Sequence, residues 1–319
     1  MNFFQVILPQ AIGIAVIYLY GCVGEIIMEK SGHLNLGIPG IMCFGVVGGS
    51  LGISWIMKLN PNATWIAVVA TAILSCALIS SLSALIYAFL TVTLKCNQNV
   101  TGLALTTFGA GFADFFMTRI DKSGFNRASQ LIRAYPNWAD QTGTFGRIFF
   151  AHGILVYLAL VIALLTAIFL KKTRVGLSLR AVGENPATAD AAGIRVSKYK
   201  YGAILTGSIV AGMAGLFYVM DQIKGAWSNS SALQSFGWLA IALVIFCIWR
   251  SSLAIIGSLI FAFLYILSSF INASTVMTEV LKLLPYFVTV VVLIITSIIG
   301  KKGAQPPSAL GLSYFREER

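Results

Sequence analysis

Charge is what this chain has least of. Only 10% of its 319 residues are Asp, Glu, Lys or Arg, and just 11 are acidic. Soluble domains carry about 25% charged residues, so a soluble enzyme is excluded, and with it, by composition, a disordered chain, a fibrous protein and a disulfide scaffold. Histidine is nearly absent: His33 and His152 stand alone, in neither an H-E-x-x-H nor a paired Cys/His spacing, and no metal site is expected. No G-x-x-x-x-G-K-[ST] occurs, so the chain has no P-loop with which to hydrolyse ATP, and no cofactor is implied. The five cysteines (Cys22, Cys43, Cys76, Cys96 and Cys247) are odd in number, and four lie well inside apolar runs. They read as small core residues and not as a disulfide framework.

What fills the space is apolar. Hydrophobic residues make up 58% of the chain and its mean hydropathy is +0.86, the composition of a polytopic membrane protein. Stretches free of charged residues cover 1–24, 31–57, 59–94, 96–113, 148–170, 201–220, 225–249, 251–278 and 283–300. A span needs about 20 largely apolar residues, and nearly all of these qualify. Uninterrupted apolar runs satisfy their backbone in lipid only as helices. The fold class is therefore all-α: a transmembrane helical bundle of about 9–10 membrane segments, with a broken or re-entrant helix near 31–57. The first apolar stretch is long enough to span and is followed by no cleavage site of the secretory type.

The 22 basic residues give a formal net charge of +11. They sit in short breaks between apolar runs, as cytoplasmic loops require, so they do not point to nucleic acid. Segment 171–200 holds Lys171, Lys172, Arg174, Arg180, Arg195, Lys198 and Lys200 against Glu184 and Asp190, and is expected to be cytoplasmic. So is the tail 301–319, with Lys301, Lys302, Arg316 and Arg319. Segment 119–147 then falls outside, and residues 1–300 form a single transmembrane domain. Both termini are expected inside, a re-entrant or broken helix in the long run 59–94 or in the run 31–57 restoring an inside N-terminus.

Four features stand out. Ser31-Gly-His-Leu-Asn35-Leu-Gly-Ile-Pro39-Gly40 interrupts a helix, as substrate paths in transporters do, although an ordinary interfacial loop would read alike. At Lys95–Thr106, Asn97, Gln98 and Asn99 precede an apolar helix. Their amides suit a neutral polar ligand, or else form a helix cap with Asn99 as its first residue. In 171–200, Asn185-Pro186 followed at a distance by Gly193 writes out the start and end of a short helix. Its Asp190 sits near the end that the helix dipole disfavours, where a partner's cation could meet it. Gly207, Ala211 and Gly215 recur every fourth residue, as at close helix crossings; Gly45 with Gly49 and Gly48 with Gly52 read the same way. No acid or base falls inside the charge-free runs, which argues against a proton relay and for an external energy source.

Segment 25–40, EIIMEKSGHLNLGIPG, resembles the ERSGVLNLGIEG signature of bacterial ABC-importer permeases of the branched-chain amino acid and simple-sugar class. Segment 180–194, RAVGENPATADAAGI, resembles the coupling motif of that class. KCNQNVTGLALTTFGAGFADFF (95–116) and the tail PSALGLSYFREER (307–319) are close to its nucleoside-type subgroup, in particular to the shorter of two paired permeases. The likeness covers roughly 13–319. Pro39 stands where the family often has Glu, so an acid's role there is lost.

The resemblance implies a permease in the bacterial cytoplasmic membrane with no enzymatic activity of its own. Its implied partners are a cytoplasmic ATPase, a second paralogous permease that completes a heterodimer, and an extracytoplasmic substrate-binding lipoprotein that delivers a nucleoside. It implies that Glu184, Asn185, Pro186, Asp190 and Gly193 form the coupling element. Asn35, Asn97, Gln98, Asn99, Thr101 and Phe108 are expected to line or shape the path, with Gly207, Ala211 and Gly215 packing helices. A simple sugar such as ribose is the alternative cargo. A stand-alone secondary transporter or channel is the alternative mechanism.

Overall fold

The computed structural model describes residues 3–136, 138–270, 275–299 and 305–315. Within them the chain is helical, with no strand. It forms α1 (Phe3–Glu29), α2 (Ile38–Leu59), α3 (Trp65–Ala88) and α4 (Gln98–Met117). Three short helices follow, α5 (Phe125–Ile132), α6 (Trp138–Gln141) and α7 (Gly143–Phe149), and then α8 (Ile154–Lys172). Next come α9 (Arg174–Glu184), α10 (Pro186–Ala191), α11 (Val196–Phe217), α12 (Ser231–Phe246), α13 (Ser251–Phe270), α14 (Thr275–Lys282) and α15 (Leu284–Ile299). Seven stretches are long and apolar enough to cross a bilayer, the last being Met277–Ile295 through α14 and α15; Ser231–Phe246 and Ser251–Leu267 are shorter apolar helices.

Outward-facing apolar stripes fit a lipid environment. On α3, Leu74, Leu78, Leu82 and Leu85 lie on one exposed face, the spacing of a single helical stripe. By contrast α1 from Ala11 to Glu29 and α2 from Ile38 to Ser50 are almost wholly enclosed. α11 crosses between them because its small residues admit backbone. A Cβ at Gly207 would stand 2.5 Å from the Gly24 carbonyl oxygen of α1, and Gly215 meets the Met42 carbonyl of α2. Ala211 is buried in the same crossing. Further along, Gly212 meets Gly45, while Gly48 and Gly52 admit Cys76 and Ser75 of α3.

α3 and α11 run in opposite directions and end alike. Each passes into a π-helical turn, Phe89–Thr93 and Tyr218–Gln222, and then into a lysine of positive φ, Lys95 at 56° and Lys224 at 51°. The end of α3 meets the start of α11 through a 2.6 Å hydrogen bond between the Thr93 and Tyr201 hydroxyls.

One face of the bundle carries α9, α10 and the segment 305–315; the other carries α5–α7. The first turns of α1 (Leu8, Ala11, Ile12) share a groove with Ile148, Phe149 and His152 on the α5–α7 face. The run 59–94 forms one continuous helix over Trp65–Thr93, with no re-entrant piece. The interruption expected near 31–57 lies at 30–37, just before a continuous α2. α1 and the C-terminal segment therefore start and finish on opposite faces, and the expectation of both termini on one side is corrected. Lys301, Lys302, Arg316 and Arg319 lie outside the described residues.

Candidate functional site

On the α9–α10 face, the local chemistry of 185–193 builds a short, well-delimited helix. The Asn185 side chain accepts a hydrogen bond from the Thr188 backbone N–H at 3.0 Å, Pro186 occupies the first turn, and Gly193 closes the end at φ +81°. That is the arrangement each residue type favours at a helix boundary. Ala189 anchors α10 on a small apolar cluster with Val182 and Val196, against which Tyr314 packs.

Segment 305–315 ties this helix to the bundle. Ser308 donates its hydroxyl to Glu184 at 3.0 Å, and the Ala309 N–H donates to the Gly183 carbonyl at 3.0 Å. The Gly311 N–H reaches the Gly32 carbonyl at 3.1 Å, and the Tyr314 hydroxyl donates to Asp190 at 2.9 Å. Lys95 lies 4.0 Å over the Phe315 ring, a cation–π contact. Asp190 is thus met by a residue of its own chain.

The 30–37 segment is buried, unlike an interfacial loop: Ser31, His33 and Asn35 are at most 1% exposed. Its backbone groups are met by side chains, as burial demands. Leu34 N–H donates to Gln98 Oε1 at 2.9 Å, the Tyr87 hydroxyl donates to the Leu34 carbonyl at 2.8 Å, and Thr106 donates to the Leu36 carbonyl at 2.9 Å. Asn35 folds inward, accepting from Gly37 N–H at 2.8 Å while its own N–H donates to Glu25 at 3.0 Å. His33 lies edge-on to Tyr87 with ring centroids 6.4 Å apart, and neither ring nitrogen has a partner among the described residues. Burial first, and then the Lys200 charge, hold its imidazole well below the usual histidine range.

α1 extends past the charge-free run 1–24 and ends in two enclosed carboxyl groups, Glu25 and Glu29. The absence of acids within the spans is corrected accordingly. The Trp249 indole N–H donates to Glu29. Ile248 and Trp249 both adopt positive φ, 51° and 52°, a conformation costing bulky residues about 1–3 kcal/mol each. The bend so formed carries the indole to Glu29.

The expected path residues divide. Asn35 and Gln98 meet in the buried 30–37 junction. Asn97, not Asn99, caps α4, accepting from the N–H groups of Asn99 and Val100 at 3.0 and 3.1 Å. Thr101 donates to the Asn97 carbonyl at 2.8 Å, and Asn99 is exposed. Phe108 is 59% exposed and heads an aromatic ladder, its ring 6.1 Å from Phe112, which lies 4.5 Å from Phe116. At the far end of α4, Asp114 accepts from Trp227 Nε1 at 3.1 Å and from the Ser230 hydroxyl at 2.8 Å. Tyr314, Gly311 and Trp249 were missed from the sequence. The available signal was a charge-free Gly-Leu-Ser-Tyr-Phe at 311–315, in a tail expected to be cytoplasmic.

The chain is similar to known proteins over nearly its whole length. The family model described as "Branched-chain amino acid transport system / permease component" matches residues 7–295. A Haloferax volcanii protein provisionally named a glucose ABC transporter permease (TsgC13) is 30% identical over 83% of this chain and 77% of its own length. The nucleoside ABC transporter permease NupC of Lactococcus lactis is 28% identical over 100% of this chain and 99% of its own. The guanosine ABC transporter permease NupQ of Bacillus subtilis is 28% identical over 99% and 98%. A multi-pass helical bundle with this signature over nearly its whole length belongs to the branched-chain amino acid transport system permease family.

Proposed function

We propose that this chain imports nucleosides as one permease subunit of an ATP-driven ABC importer in the cytoplasmic membrane, with the α9–α10 face inward. The observation that carries the reading is the linkage of α10. Through Gly183, Asp190 and segment 308–315 this exposed helix is bonded to the buried 30–37 segment, which is bonded in turn to α4 by Gln98 and Thr106. A push on α10 by an ATPase would therefore reach α4 through a contiguous set of hydrogen bonds. Glu184, Asn185, Pro186, Asp190 and Gly193 form the docking element. Asn99, Thr101 and Phe108 face the path, which a second permease completes, while Asn35 and Gln98 shape it from behind. An extracytoplasmic binding protein supplies the cargo.

Two observations support a nucleoside. Two full-length relatives carry nucleoside or guanosine in their names, and the exposed Phe108 ring offers a stacking face for a base. The glucose designation of another relative supports a sugar as the second reading. Proteoliposomes holding the chain, its partner permease and ATPase, and the binding protein should take up labelled guanosine only with ATP. Uptake of ribose or glucose instead would favour the sugar. Uptake by this chain alone without ATP would overturn the ABC reading.

A further inference from the structure

A second cavity, of about 440 Å³, opens on the α9–α10 face between the end of α8, α9 and the α12–α13 junction. Lys30, Lys171, Arg180 and Arg250 line it, with Glu184 the one acidic side chain among its lining residues. No ion pair joins any of these four cations to an acid among the described residues. The N-terminus of α13, a helix of 20 residues, points its first turn into the same space through Ser251 and Ser252. Ser251 is 2% exposed, yet its hydroxyl has no partner among the described residues, and neither has the buried Nε of Arg180. Burial, together with the neighbouring Arg180 and Arg250 charges, pulls the Lys30 amine below its usual range, an effect that Glu184 opposes. Unpaired cations, an orphaned hydroxyl and a helix N-terminus together make a preorganised anion site.

The cavity wall also says where the anion comes from. Ala167 and Leu170 of α8 form its apolar side, and on the same helix Leu164, Leu165 and Ile168 are about half exposed where the bilayer lies. Farther along α13, one and two turns from Ser251, Ile255 and Leu259 border a separate apolar groove of about 410 Å³ with Leu160 of α8 and Val16 of α1; it runs toward the α5–α7 face and shares no lining residue with the basic cavity. A basic pocket walled on one side by the apolar end of α8 fits a two-part lipid, its phosphate at the cations and its acyl chain along the helix.

We propose that this cavity binds one anionic phospholipid, with the phosphate held by Arg180, Arg250, Lys30 and Ser251 and an acyl chain lying along α8. The lipid fills the space between α9, which leads into α10, and the Ile248–Trp249 bend against Glu29. It thereby braces the base of the docking element against the bundle, in a way that inorganic phosphate, lacking chains, cannot.

The test is a titration of the purified full-length chain, delipidated in detergent, with short-chain phosphatidylglycerol, phosphatidylcholine or inorganic phosphate, following the thermal unfolding midpoint. Phosphatidylglycerol should raise the midpoint saturably, with little response to the other two. The R180Q/R250Q double variant should weaken the apparent affinity about thirtyfold, since a Lys or Arg near an anionic lipid is worth about 1 kcal/mol. S252D, which removes no cation but places a negative charge at the mouth, should abolish the response; it decides the matter if the double variant fails to fold. An equal response to phosphatidylcholine, saturation by inorganic phosphate alone, or unchanged affinity in S252D would overturn the proposal.

Discussion

The Tyr314 hydroxyl donates to the Asp190 carboxylate at 2.9 Å, joining the C-terminal segment to the far end of a helix 124 positions earlier. Asp190 sits where the α10 dipole is unfavourable to a negative charge, and the phenol offsets that by satisfying an oxygen. A hydrogen bond to a charged acceptor contributes about 1.5–3 kcal/mol. Tyr314→Phe keeps the ring on Ala189 and Val182 and removes only this bond. In the reconstituted importer, substrate uptake per ATP hydrolysed should fall several-fold while expression holds. A stoichiometry equal to wild type would mean that the tail bond plays no part in coupling.

The α10 helix itself should be indispensable. Pro186→Gly with Glu184→Ala removes the preset first turn and the acceptor for Ser308. Uptake and cargo-stimulated ATP hydrolysis should both vanish, with the chain still in the membrane fraction by immunoblot.

The Gly207–Gly24 crossing has no room for a methyl group, because it would stand 2.5 Å from the Gly24 carbonyl oxygen, with Met28 Cγ at 2.7 Å. Gly207→Ala must push α11 off α1, and overpacking of this kind costs about 1–3 kcal/mol. The thermal midpoint in detergent should drop by several degrees. Gly202→Ala, at an open position on the same helix, should leave it unchanged.

Phe108 separates stacking from packing. Phe108→Ala should lower guanosine uptake at least tenfold, and Phe108→Tyr should retain most of it, while the midpoint of both stays near wild type because the ring is largely exposed. Equal uptake by Phe108→Ala would remove Phe108 from the path.

His33 sets a pH dependence of stability. Its imidazole is held neutral in the fold, so below about pH 6.5 the unfolded chain binds a proton that the folded chain does not. Stability from this group is present above that pH and is lost as pH falls beneath it. Unfolding midpoints measured from pH 7.5 to 5 should decline, and His33→Gln should flatten that decline.

How much of this was legible depended on whether the signal was local. The α10 boundaries were readable because Asn185, Pro186 and Gly193 act through their own backbone neighbourhood. The spacing of Gly207, Ala211 and Gly215 was readable for the same reason, as helical period fixes which residues share a face. Glu25 and Glu29 were hidden because a charged residue ends an apolar run in sequence, whereas the fold continued α1 beneath the 30–37 segment and supplied Trp249 from far along the chain. Asn97 took the cap ahead of Asn99 because the buried Gln98 was drawn to Leu34 and fixed the start of α4. The anchoring role of segment 308–315 depended on contacts with Gly32, Gly183 and Asp190, all remote in sequence, so no window around Tyr314 could contain it.

Segment 305–315 follows the seven candidate spans between Ile7 and Ile295 in the order of synthesis. Gly32 waits for Gly311, Glu184 for Ser308, and Asp190 for Tyr314 until α15 has left the ribosome. The proposed docking face is thus completed only after those spans have been made. A chain cut before residue 308 would keep those spans yet lose the bonds from this segment to Gly32, Gly183, Glu184 and Asp190, so the proposed docking surface would be held in place only where the segment has been made.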